Sequence, residues 1–290
     1  MTLLRLGGAA GRNLLLLTAI LFFGVPMMWL FLAPGKDASE LVTGSPLGLG
    51  SVSGYTDASR HLLDYSDGIM GRWFLNSVVY SAASVTLALA TAVPAGYALA
   101  KFRFPGRSTV LFLTLVMMIV PSAALILPLY LEMSALQLTN TAWSVILPMS
   151  FYPFGVYIIF LFAASTMPDS IIEAARVDGC GEWVIFLRIF TPLARPAIVM
   201  VGFFAFVSSW NAFFLPYIML SSQELATMQT GLQLLVANTG AVTGANFTGL
   251  PIKAPEVALA SIFSILPILL IFAFAQRYLV AGQTAAAEKG

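Results

Sequence analysis

Six stretches of this chain contain no Asp, Glu, Lys or Arg: residues 14–33, 73–99, 108–131, 141–163, 196–219 and 257–276. Each is 20 to 27 residues long. A helix needs about 20 mainly apolar residues to cross the hydrocarbon core of a bilayer. Barrel strands are shorter and alternate apolar with polar residues, which none of the six does. The stretches therefore predict an all-α membrane protein with six transmembrane helices. Composition agrees: 59% of the 290 residues are apolar and 9% are charged. An average soluble domain carries about 25% charged residues, so too few are present to cover a water-facing surface. The net charge of +1 provides no balance for binding a polyanion, which excludes nucleic acid as a partner. One Cys and one His exclude an internal disulfide framework and an ordinary zinc site.

Orientation follows from the placement of Lys and Arg, which favour cytoplasmic loops. With the N-terminus inside, ten of the fourteen basic residues lie on the inner side, and eight of the thirteen acidic residues lie outside. The inner side is then +5 and the outer side −4, which predicts both termini in the cytoplasm. The first apolar run follows Arg5 and Arg12, as in a secretory signal. Its 20 residues exceed the roughly 7–15 of a signal core and no small-x-small site follows, which predicts an uncleaved span. The outer loop 34–72 is rich in Gly and Ser and reads as irregular structure. The outer loop 220–256 has an amphipathic stretch at 225–236 followed by Gly-rich turns.

The inner loop 164–195 is unlike the others, because it combines seven charges with an apolar pattern. Ser170 and Glu173 have the spacing of a capping box, which starts a short helix ending near Asp178. Gly179 suits the left-handed residue that closes a helix. Trp183, Phe186, Leu187 and Phe190 then recur at i, i+3, i+4 and i+7, which predicts a second helix up to Thr191-Pro192. Two short helices with a glycine corner fit either an interfacial linker or a docking element for a soluble partner.

Residues 173–196, EAARVDGCGEWVIFLRIFTPLARP, resemble the EAA loop of ABC importer permeases. RWFLNS at 72–77, GYALAKFRFPGR at 96–107, VPSAALILPLY at 120–130, WNAFFLPYIMLSS at 210–222 and QRYLVAGQTAAAEKG at 276–290 are similar, in the same order, to segments of the carbohydrate branch. Cys180 stands where that branch usually has Ala. The resemblance covers about residues 70–290 and implies the type I ABC importer permease fold in an inner (plasma) membrane. Cytoplasmic coupling helices would lie between spans four and five. It divides the chain into an N-terminal span and outer loop at 1–71 and a permease domain at 72–290. The partners it implies are a second homologous permease subunit, two ATP-binding cassette ATPase subunits, an extracytoplasmic substrate-binding protein and a carbohydrate substrate. Glu173, Ala174, Ala175, Asp178 and Gly179 would form the ATPase-coupling loop.

Several expectations come from the residues themselves. No G-x-x-x-x-G-K-[ST] pattern is present, so ATP and its hydrolysis belong to partner subunits and this chain holds no cofactor and no catalytic residue. His61 stands alone in an outer loop, which disfavours an intramembrane enzyme. Ion-coupled transporters usually carry ionisable residues in mid-membrane, and the six stretches have none. A non-transporting assembly subunit is opposed only by the inner loop. Ser208, Ser209 and Asn211 form the polar centre of the fifth stretch, suited either to interhelical hydrogen bonds or to sugar contact.

Overall fold

The computed structural model describes residues 2–239 and 252–287, and all regular structure among them is helical. Four helical segments are long and apolar enough to cross a membrane: Gly11–Gly35, Val52–Lys101, Trp143–Thr166 and Ala254–Arg277. Two bent pairs raise the number to six if each is one span. Arg107–Ile119 meets Ser122–Ala135 at 107°, and Glu182–Leu193 meets Arg195–Trp210 at 76°. The chain divides into two compact units. One holds Met1–Gly71 with Gly231–Leu266, the other Arg72–Thr230 with Pro267–Gly290.

In the first unit, α1 (Thr2–Leu32) exposes Leu14 to Leu17, Leu21, Phe22 and Phe23, as a lipid-facing helix does. The loop after it is not irregular, contrary to its Gly- and Ser-rich composition. It contains α2 (Ala38–Thr43) and the 13-residue α3 (Val52–Asp64). Ser51 caps α3 by accepting the Gly54 N–H at 3.0 Å, and Ala58 and Leu62 point inward one turn apart. Two of the loop's glycines serve close approach to the backbone of Gly35. A Cβ on Gly50 would lie 2.3 Å from the Gly35 carbonyl carbon, and one on Gly54 would lie 2.5 Å from the Gly35 oxygen. His61 is not alone either. Its Nδ1 lies 2.9 Å from Oε1 of the buried Glu256, whose other oxygen accepts the Lys253 N–H at 3.0 Å.

The second unit is built on α4 (Ile69–Lys101), which continues into it from residue 72. Then follow α5 (Arg107–Ile119), α6 (Ser122–Ala135), α7 (Trp143–Ser150) and α8 (Pro153–Thr166). Next come α9 (Asp169–Val177), α10 (Glu182–Val184), a π-turn at Ile185–Phe190, and α11 (Thr191–Leu193). The unit continues with α12 (Arg195–Trp210), α13 (Phe214–Met219) and the start of α14 (Met228–Asn238), which covers most of the predicted amphipathic stretch. The Gly-rich turns expected after it lie outside the described residues. The last helix, α15 (Ala254–Ala287), runs through both units.

Helices α4, α8 and α12 pack through small residues. A Cβ on Gly96 of α4 would sit 2.7 Å from the Val156 carbonyl oxygen, and one on Gly155 of α8 would sit 2.7 Å from Cγ1 of Val201 on α12. Such residues let helix backbones approach closely in a membrane, where no hydrophobic drive separates helix from lipid.

The stretch 108–131 is not one continuous helix. It breaks at Val120-Pro121, where both residues are extended (Val120 φ −64°, ψ 124°). Proline disfavours the helical conformation in the residue before it, which explains the break. The stretch 141–163 breaks in the same way at Phe151-Tyr152, ahead of Pro153. The stretch 196–219 stops at Trp210 and resumes at Phe214.

Candidate functional site

Loop 164–195 begins on an anchor rather than on the expected capping box. Helix α9 starts at Asp169 with Pro168 as its N-cap, and Ser170 caps nothing. Asp169 turns instead to the end of α4, where Lys101 Nζ donates to its Oδ1 at 2.7 Å and to the Met167 carbonyl at 2.6 Å. The Lys101 side chain is only 5% exposed. The hydrogen bond from Lys101, and then its charge, hold the Asp169 carboxyl below the usual aspartate range.

The glycine corner forms as its sequence predicts. Gly179 has φ +80°. The Cys180 N–H donates to the Ala175 carbonyl at 2.9 Å and the Gly179 N–H to the Arg176 carbonyl at 3.0 Å. These two bonds define a Schellman motif, whose usual hydrophobic contact joins the residue after the glycine to the one five places earlier. Ala175 is buried, and Cys180 packs against the same core, so a small apolar side chain at position 180 fits the motif. Arg176 Nε bonds Glu182 Oε1 at 2.7 Å across the corner. That bond comes first among the causes raising the Arg176 guanidinium above its ordinary value. Glu173, Ala174, Asp178 and Gly179 are exposed, whereas Ala175 faces inward.

The second short helix departs from the α-period. Its middle is a π-turn, with the Thr191 hydroxyl donating to the Phe186 carbonyl at 2.8 Å. The wider turn separates the apolar stripe into two faces. Ile185 and Phe190 are fully buried, and Phe190 lies 4.5 Å from the ring of Tyr97 on α4. Trp183 and Leu187 remain 72% and 58% exposed. The loop thus presents a surface with both apolar and charged groups beside the corner.

At the other end of α4, the motif at 72–77 proves to be a clasp. Trp73 Nε1 donates to the Gln223 carbonyl at 2.8 Å, and Asn76 Nδ2 to the carbonyls of Glu224 and Ala226 at 2.8 and 3.0 Å. The Tyr80 hydroxyl donates to the Leu225 carbonyl at 3.2 Å, and Ser77 Oγ accepts the Met228 N–H at 2.7 Å. The spacing 73, 76, 77, 80 puts all four on one helix face, a signal that the sequence itself carries. Asn140 secures the same loop: Oδ1 accepts the N–H groups of Ser221 and Ser222 at 3.0 Å each, and Nδ2 donates to Ser222 Oγ at 2.9 Å.

A cavity of about 780 Å3 lies inside the second unit. All three helix breaks open on it, at Val120, at Phe151-Tyr152 and at Ala212-Phe213. Ser208 lines it, but Ser209 and Asn211 do not. Among the described residues no cluster of His, Cys, Asp and Glu is arranged to hold a metal ion.

The model of the family described as "Binding-protein-dependent transport system inner membrane component" matches residues 92–284. The chain belongs to this family. The permease is 34% identical over 266 residues to the arabinooligosaccharides transport system permease protein AraQ of Halalkalibacterium halodurans, covering 91% of each chain. It is 28% identical over 271 residues to the diacetylchitobiose uptake system permease protein NgcG of Streptomyces coelicolor, covering 93% of this chain and 85% of that one. Its fold is like that in the crystal structure of a bacterial ABC transporter involved in the import of the acidic polysaccharide alginate. The TM-score is 0.80 at 22% identity, covering 94% of this chain and 96% of that one. The permease is therefore a multi-pass inner-membrane transport subunit and not an enzyme, and its family implies an ATPase and a binding protein as partners.

Proposed function

We propose that this permease imports an oligosaccharide or a sugar derivative and that its inner loop carries the motion of an ATPase to the transmembrane helices. The sugar reading is supported by relatives named for arabinooligosaccharides, diacetylchitobiose and maltodextrin transport. In this reading α1, α4, α5 with α6, α7 with α8, α12 with α13, and α15 make six spans. Both termini and the loop 164–195 are cytoplasmic, with the permease domain at 72–290. A second homologous permease completes the pathway, two ATPase subunits bind the ATP, and an extracytoplasmic binding protein delivers the sugar.

The Schellman corner carries the coupling part of the reading. Glu173 and Ala174 face outward on α9, and Asp178 and Gly179 at the corner after it, while Lys101 and Phe190 tie both helices to α4. Small exposed residues allow a partner to approach closely, and the flanking charges offer it hydrogen bonds. A rigid attachment below them transmits displacement rather than absorbing it. The experiment is uptake of labelled arabinooligosaccharide by membranes containing the permease with its partner subunits, together with disulfide cross-linking of Ala174→Cys to the ATPase. Both should succeed. An active transporter that purifies without any ATPase subunit would sink the reading.

A further inference from the structure

The cavity of the second unit has features that the transport reading does not use. Three prolines, Pro121, Pro153 and Pro216, lack the N–H that would bond the carbonyl four residues earlier. Those carbonyls belong to Met117, Met149 and Ala212, and all three residues line the cavity. Three separate breaks thus each place in the lining of one space a residue whose carbonyl lacks the proline donor four positions on. In a membrane, interrupted backbone is tolerated where it lines a cavity. Aromatic residues share this lining. Phe151, Tyr152 and Phe213 line the cavity, and Phe213 is held by stacking on Tyr217 at 5.4 Å. Acceptors alternating with flat apolar faces suit a pyranose or furanose ring, which has hydroxyls on its edge and C–H groups on its face. A volume of about 780 Å3 is within the range of small-molecule sites.

One carboxylate stands at this cavity. Glu132 lies on α6 within one turn of its end, and no Asp, Lys or Arg joins it in the lining. Its side chain has no ion-pair partner among the described residues. Glu132 is exposed, so its charge repels an approaching anion modestly and salt screens it.

We propose that this cavity is a subsite for an uncharged glycosyl unit, and that Glu132 makes it reject acidic sugars such as uronates. The proposal rests on the sugar-import reading above and adds the charge class of the cargo. The bare carbonyls accept hydroxyl protons, the rings stack on the sugar face, and Glu132 repels a uronate carboxylate. The permease thus departs in cargo from the alginate importer whose fold it shares.

The test uses the purified complex of permease, partner permease and ATPases in nanodiscs, without binding protein. Ser208→Cys places a thiol in the cavity with almost no change of volume, and Ser209→Cys places one just outside it. Maleimide labelling at each position is read by peptide mass in the presence of neutral arabinotriose or of trigalacturonate. Arabinotriose should slow labelling at position 208 and leave position 209 unaffected. Trigalacturonate should protect position 208 about tenfold less well, the effect of a modest charge repulsion. Glu132→Gln should abolish the difference, and high salt should shrink it in the protein that retains Glu132. Equal protection by both sugars with Glu132 in place overturns the charge filter, and absence of protection by either overturns the subsite. Uptake of labelled arabinotriose, measured in parallel with binding protein present, reports on the import reading alone. Uptake without protection sinks only the subsite, and protection without uptake sinks only the import reading.

Discussion

Substitutions at Gly179 separate the backbone of the corner from its surface. The residue has φ +80°, and a Cβ built there meets nothing within 4 Å. Neighbouring atoms therefore add no steric cost, and any loss comes from the left-handed conformation itself. That conformation costs an ordinary L-residue roughly 1–2 kcal/mol, with asparagine penalised least and β-branched residues most. Gly179→Ala should thus cost about 1 kcal/mol and Gly179→Val about 2 kcal/mol, with Gly179→Asn below both. A cost of about 2 kcal/mol reduces the population of the formed corner relative to its competitors by roughly thirtyfold. The assay is ATPase activity of the purified complex stimulated by binding protein and sugar, with the amount of co-purifying ATPase subunit as the control for assembly. Stimulation should fall in the order Gly, Asn, Ala, Val. Wild-type stimulation in Gly179→Val would refute the reasoning. So would a ranking by side-chain size that puts Asn below Ala, because the structure provides nothing for size to act on.

Other expectations concern the anchors. Because the Asp169 carboxyl is held below its ordinary range by Lys101, its contribution is complete above the unfolded aspartate value of about 3.9 and is lost as pH falls through the lower folded value. Hydrogen-exchange protection of α9 should therefore be level between about pH 5 and 8 and collapse only in stronger acid; a loss already near pH 6 would contradict the anchor. Asn140→Ala removes three hydrogen bonds to residues 221 and 222 from a residue with φ +56° and should cost about 2–4 kcal/mol in denaturation of the solubilised protein. Asn140→Gly, which relieves the φ but makes no side-chain bond, should recover only part of that loss. Gly96→Ala drives a Cβ to 2.7 Å from both Ile159 Cβ and the Val156 oxygen and should cost about 1–3 kcal/mol in the same measurement. A neutral result there would mean that α4 and α8 can separate freely.

The parts legible in the sequence were those governed by short-range chemistry. The apolar runs locate the membrane-length segments, and Gly179 marks the corner because few other residues accept its φ. The breaks at Val120, Phe151 and Asn211 were less legible, since proline also occurs inside α4, α6 and α15 without ending them. Whether a proline bends or breaks a helix depends on whether neighbouring groups can satisfy the freed carbonyl, which is a tertiary property. The helix α3 was hidden by glycines that serve a backbone crossing with Gly35. The capping spacing at Ser170 misled because Asp169 finds a partner 68 positions away, in Lys101. His61 likewise finds a partner remote in sequence, in Glu256, 195 positions away.

Helix α4 is gripped near both ends. Trp73 and its neighbours hold loop 223–228 at one end, and Lys101 holds the start of α9 at the other. At 1.5 Å per residue these points are about 42 Å apart, a length comparable to the full thickness of a bilayer. A rod held so works as a seesaw. A tilt of about 5° around its middle, with this helical rise, carries each grip roughly 2 Å sideways in opposite directions. Loop 223–228 therefore cannot stay still when the start of α9 is pushed, unless the rod itself bends, and Pro94 is where it would yield.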